Sequence, residues 1–77
     1  MLNDLTKRQS EILSTITNYI KNKGYAPSIR EIGDMVNLSS TSTVAGHMEK
    51  LKEKGYVTWK PSQPRTLQLL DKAKTAS

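Results

Sequence analysis

The sequence predicts a mainly α domain with a small β-hairpin, three helices followed by two strands. Three observations predict it. Two segments, Thr6-Lys7-Arg8-Gln9 and Ser28-Ile29-Arg30-Glu31, place Ser or Thr three residues before Gln or Glu at the head of an apolar stretch of helical spacing. Each of three such stretches is followed by a residue that tolerates left-handed backbone: Gly24, Asn37 and Gly55. Two alternating stretches, Val57-Thr58-Trp59-Lys60 and Thr66-Leu67-Gln68-Leu69, then flank a segment rich in turn formers. With 77 residues, 35% of them hydrophobic, the chain can build one small core and no more.

The first helix opens with Thr6 as N-cap, and Ile12, Leu13, Ile16, Tyr19 and Ile20 form one apolar stripe along it. Lys21 and Lys23 suit the negative end of its dipole, and Gly24 stops it. Tyr25-Ala26-Pro27 is an extended link, because the residue before proline is pushed out of helix. The second helix is short, with Ile29, Ile32, Met35 and Val36 expected inward and Asn37 as its stop. A tight turn over 37–40 leads to a third helix capped by Ser40, with Ser39 the competing cap. At about 100° per residue, Met48 and Leu51 fall within about 40° of Val44, leaving Ser42, Ala45, Gly46, Glu49 and Glu53 opposite. Gly55 ends this helix. In the hairpin, Val57, Trp59, Leu67 and Leu69 are expected to face the helices, around a loop of Pro61-Ser62-Gln63-Pro64-Arg65. The PxxP spacing in that loop is explained better by a hairpin turn than by an SH3 ligand. The domain is expected to span 1–70, with 71–77 a frayed tail or linker stub.

The net charge is +5 and the isoelectric point about 9.7, a balance that favours polyanionic partners. Residues 1–36 carry five Lys/Arg against four Asp/Glu, and residues 37–77 carry seven against three, so the positive field sits in the second half. A solvated surface that happens to be basic explains the charge alone equally well. The chain has no cysteine, which excludes a disulfide or thiolate zinc staple and fits a reducing cytoplasm. No apolar run approaches the ~20 residues of a membrane span, and Met1-Leu2-Asn3-Asp4 lacks the basic flank of a secretory signal. A soluble cytoplasmic protein is expected. With one histidine, no glycine-rich phosphate loop and no His/Asp/Glu set at metal spacing, no enzyme, metal, cofactor or small-molecule substrate is expected.

Three helices with a tight turn between the second and third, then a hairpin, is the order of a winged helix-turn-helix. In that arrangement the third helix enters the major groove of double-stranded DNA with its N-terminal residues at the base edges. Ser40, Ser42 and Thr43 supply hydroxyls for bases or phosphates; Ala45 and Gly46 permit close approach, and the Ala45 methyl suits a thymine methyl. Ordinary capping and turn chemistry is the competing account of the Ser/Thr run. Phosphate contacts are expected from the helix start at Ser28 and Arg30, from His47, and from Lys60 and Arg65 on the wing. Lys50, Lys52 and Lys54 are weaker candidates, since charges there are often a solvated face. His47 is otherwise a half-buried packing residue, and Trp59 a core residue rather than a base-stacking one.

At this point the chain resembles a family. The blocks Leu5-Thr6-Lys7-Arg8-Gln9, Lys23-Gly24-Tyr25-Ala26-Pro27-Ser28-Ile29-Arg30-Glu31-Ile32-Gly33, the stretch from Ser40 to His47, Lys54-Gly55-Tyr56 and Pro61-Ser62-Gln63-Pro64-Arg65 are similar to the N-terminal DNA-binding domain of LexA, the bacterial DNA-damage (SOS) response repressors, in its Gram-positive form. The resemblance runs over residues 4–70. It implies a three-helix domain with a two-stranded wing that reads palindromic operators as a repressor, two copies on one duplex, with base contacts at Ser40, Ser42, Thr43, Ala45 and Gly46. Two departures stand out. Gram-positive relatives usually carry Val-His-Gly-His where this chain has Val44-Ala45-Gly46-His47, and a basic pair where it has Thr58-Trp59, so a different operator is expected. The family's serine–lysine protease domain, which supplies self-cleavage and dimerisation, is not in this sequence. The chain then reads as a fragment of a longer repressor or a single-domain relative, bacterial or phage-encoded. The rival reading is a winged-helix protein adaptor or anti-repressor without specific DNA recognition.

Overall fold

The structure is a computed structural model that describes residues 5–60, 66–71 and 73. Its elements run α1 (Lys7–Lys23), α2 (Ile29–Met35), α3 (Thr41–Glu53), β1 (Val57–Thr58) and β2 (Gln68–Leu69). The mainly helical architecture with an antiparallel hairpin is that of a winged helix-turn-helix.

Both expected capping boxes are closed. The Gln9 N–H donates to Thr6 Oγ1 and the Thr6 N–H to Gln9 Oε1, each at 3.1 Å. At α2 the Glu31 N–H donates to Ser28 Oγ at 3.1 Å and the Ser28 N–H to Glu31 Oε1 at 2.8 Å. Each pair satisfies backbone donors that a helix start leaves without intrahelical partners. Ile12, Leu13 and Ile16 carry the stripe of α1 into the core, with Tyr19 and Ile20 half-buried at its edge. The Tyr19 hydroxyl donates to Glu31 Oε2 at 3.3 Å, which ties the end of α1 to the start of α2.

The turn between α2 and α3 rests on two residues. Asn37 takes φ 61°, and the Leu38 N–H behind it donates to the Gly33 carbonyl at 2.8 Å, closing the end of α2. Gly33 itself is buried: a Cβ there would stand 2.8 Å from the Leu38 carbonyl oxygen and 3.3 Å from Val44 Cγ2. The inward face of α2 is therefore Ile32, Gly33 and Val36, which rolls Met35 outward to 42% exposure. That corrects the expectation that Met35 faces the core.

In α3, Ser40 is the N-cap, its Oγ accepting the Thr43 N–H at 3.3 Å. Val44, Met48 and Leu51 are fully buried. The helix ends with Gly55 at φ 84°; the Gly55 N–H donates to the Lys52 carbonyl at 3.1 Å and the Tyr56 N–H to the Leu51 carbonyl at 3.0 Å. These are the two bonds of a Schellman close, and they deliver Tyr56 and Val57 straight into the core.

Val57 pairs with Leu69 and Thr58 with Gln68. The ladder is shorter than the two four-residue strands expected. Beyond Thr58 a side chain takes over: the Lys60 N–H donates to Thr66 Oγ1 at 2.8 Å, and that hydroxyl donates to the Lys60 carbonyl at 3.3 Å. The expected turn over 61–65, with Arg65, lies outside the described residues. Val57 and Leu67 face inward as expected, whereas Trp59 and Leu69 are only half-buried. Past the hairpin, Ala73 is buried and its N–H donates to the Leu70 carbonyl at 2.9 Å.

Candidate nucleic-acid interface

The candidate interface depends on the rotational setting of α3. With Val44, Met48 and Leu51 locked inward, Ser40, Ser42, Thr43 and Gly46 face solvent, and Ala45 and His47 sit half-buried at the flanks. No heavy atom lies within 4 Å of where a Cβ on Gly46 would be, so the backbone of the second turn is open to an approaching surface. The candidate base-reading residues thus share the first two turns of one helix. Hydroxyls there can donate as well as accept, which fits either phosphate oxygens or base edges.

On the Ala45 flank of this face the structure makes a groove of about 490 Å³. Its walls are Pro27, Ser28, Ile29 and Arg30 at the start of α2, Thr41, Ala45, Met48 and Glu49 on α3, and Trp59, Thr66 and Leu67 on the hairpin. Arg30 and Lys60 are exposed, on the α2 and hairpin sides. Ser28 is half-buried, with both its N–H and its hydroxyl engaged by Glu31. The capping carboxylate therefore occupies part of the donor set that a phosphate at that helix start would use, and Arg30 is left as the cation of that edge.

The three lysines of α3 and its cap have intramolecular partners. Lys50 Nζ lies 3.5 Å from Glu53 Oε2 in an exposed pair of small energetic weight. Lys52 Nζ stands 4.7 Å above the Trp59 ring, a cation–π contact that pins the hairpin to the helix. Lys54 Nζ donates to Gln9 Oε1 at 3.3 Å.

Contacts between residues far apart in the chain brace this platform, and sequence reasoning missed them. Arg8 Nη1 donates to the Val36 carbonyl at 3.0 Å and to Glu11 Oε1 at 2.7 Å, tethering the end of α2 to the first turn of α1. Gln9, buried at 7% exposure, receives Lys54 and so does the same for the end of α3. Both contacts join residues 28 and 45 positions apart. The only sequence signal for either was a polar pair, Arg8 and Gln9, at the head of an amphipathic helix.

Among the described residues no group of three or more His, Cys, Asp or Glu is placed to hold a metal, and no helix is long and apolar enough to cross a membrane. A family model for the LexA DNA binding domain matches residues 2–66. The LexA repressor of Desulfitobacterium hafniense strain DCB-2 is 48% identical over 77 residues, all of this chain and 38% of that protein. Those of Staphylococcus aureus strain USA300 and Staphylococcus haemolyticus are each 49% identical over 69 residues, 90% of this chain and 33% of theirs. The chain spans little more than a third of the length of these curated relatives. Three helices around a closed α2–α3 turn, the hairpin behind them and a match over most of the sequence converge: the chain belongs to the LexA DNA-binding domain family.

Proposed function

We propose that the chain is a sequence-specific double-stranded-DNA-binding domain of a transcriptional repressor. In this reading α3 enters the major groove with Ser40, Ser42, Thr43, Ala45 and Gly46 at the base edges. Arg30, His47, Lys60 and Arg65 meet the flanking phosphates, and Ser28 adds what its capping duty leaves free. The hairpin rests on the neighbouring backbone. The supporting observation is the division of α3 into a fully buried face and an open face that is small and hydroxyl-bearing over its first two turns, in a chain of this family.

Two copies on a palindromic operator follow from the repressors it resembles, with half-sites near a whole number of ~10.5 bp turns apart. One copy alone then binds weakly, phosphate contacts providing much of its affinity. The reading places the protein in the cytoplasm with the chromosome and assigns these residues no bond-making chemistry.

Selection of bound sequences from random duplex DNA at near-physiological salt tests the proposal. A palindrome enriched with fixed half-site spacing supports it. A bound pool without a motif rejects sequence-specific reading and favours a protein-binding adaptor.

A further inference from the structure

Glu49 is an exposed carboxylate on the outward face of α3, with no ion pair or hydrogen bond among the described residues; Glu53, one turn on, pairs with Lys50. It lines the groove between α3 and the hairpin in company with Thr41, Ala45 and Trp59. Thr41, Ala45 and Glu49 are spaced four apart and so form one row along the helix. The first two members of the row are short, and Gly46 beside them leaves the backbone bare. A duplex laid on this row approaches closely over the first two turns, and the first long side chain it meets is Glu49.

Facing phosphates, a carboxylate is repulsive and costs affinity for DNA of any sequence. Facing a base edge, it is an acceptor only, and its major-groove partner is the exocyclic amino group of cytosine. Ala45, Met48 and Trp59 give the groove an apolar wall that excludes water from one side of such a contact. That raises both the strength of a bond that is made and the cost of one that is not. We propose that Glu49 is a specificity-determining residue that accepts a hydrogen bond from the N4 amino group of one cytosine in the binding site and rejects the other bases there. The proposal rests on the chain being a sequence-specific DNA-binding domain.

Selections from random duplex DNA with the full chain and with its Glu49→Ala and Glu49→Gln variants test it, followed by competition binding on single-base changes of the enriched site. Glu49 is exposed and makes no hydrogen bond or ion pair among the described residues, so all three proteins are expected to give the same circular dichroism spectrum, and a changed motif is then not a folding effect. The expected wild-type pool has one position fixed as cytosine, with about a tenfold loss on replacing it. Glu49→Ala relaxes that position alone, keeps the rest of the motif, and binds random duplex more tightly because a repulsive charge is gone. Glu49→Gln shifts the position toward adenine, whose edge matches an amide. Identical motifs from all three proteins overturn the proposal, as does a Glu49-dependent position fixed as any base but cytosine. A wild-type pool without a motif instead overturns the DNA-reading function, and the role of Glu49 falls with it.

Discussion

Replacing Gly33 and Gly46 by alanine, one at a time, applies the same chemical change to two helices with opposite expected signs. Alanine is favoured over glycine inside a helix by about 0.8–1 kcal/mol. At Gly46 the added methyl meets nothing within 4 Å, so the gain is realised in full. For a domain this small, about 1 kcal/mol raises Tm by roughly 4–8 °C. At Gly33 the methyl would stand 2.8 Å from the Leu38 carbonyl oxygen and 3.3 Å from Val44 Cγ2. The first of these is backbone, held in place because the Leu38 N–H is bonded to the Gly33 carbonyl. Overpacking of this kind costs about 1–3 kcal/mol, occasionally more, and the helix-propensity gain offsets at most about 1 kcal/mol of it. Because the 2.8 Å contact is with fixed backbone, the cost lies in the upper part of that range, about 2–3 kcal/mol, and the expected net loss is about 1–2 kcal/mol, a fall in Tm of roughly 4–16 °C. Thermal and urea unfolding followed by circular dichroism and by the single tryptophan measures both variants, with the urea slope unchanged if only stability has moved. A Gly33→Ala protein as stable as the parent, or a Gly46→Ala protein less stable, refutes the reasoning. The functional consequence runs the other way at Gly46: the more stable variant loses affinity in fluorescence anisotropy, because a methyl now stands between the helix backbone and the duplex.

Ser28→Ala removes the cap oxygen of α2 and is expected to cost about 1 kcal/mol, read as a lower urea midpoint. Ile16→Ala empties a fully buried site and is expected to cost about 2–5 kcal/mol. That is comparable with the whole margin of a domain under ~80 residues, so unfolded chains are populated at 37 °C. The charge swap Lys60→Glu with Arg65→Glu weakens binding to specific and random duplex alike and lowers the salt slope by about 0.9 for each phosphate the wing no longer neutralises; an unchanged slope removes the wing from the interface. Because Ala45 and Thr58-Trp59 depart from the family's usual residues, competition binding is expected to show no preference for the family's usual operator over shuffled DNA.

Local features were legible in the sequence because they depend on neighbours. Thr6, Ser28 and Ser40 are caps for reasons contained within three residues, and Gly24, Asn37 and Gly55 mark turns that only a few residue types adopt comfortably. Val44, Met48 and Leu51 declared the inner face of α3 by spacing, which placed the candidate reading face opposite. The same spacing failed for Met35, since two turns of helix carry too little pattern to fix a rotation that the bare Cα of Gly33 decides. Ala73 was missed because a single small residue beyond the last strand has no periodicity to betray it. The Arg8, Gln9 and Lys52 contacts escaped for a different reason: each depends on where distant segments come to rest, which no local window contains.

The hydroxyl of Thr66 engages both backbone groups of Lys60, so the hairpin is latched just beyond its two-residue ladder. The bond pair holds Lys60 and Thr66 to each other whichever five residues join them in sequence. Once the two ends of a segment are held together, lengthening it is cheap, about 0.6 kcal/mol for each doubling. The sequence between Lys60 and Thr66 is thus an exchangeable cassette: a lineage can rewrite or extend it, retuning what the wing touches, while the bonds that close the hairpin stay in place.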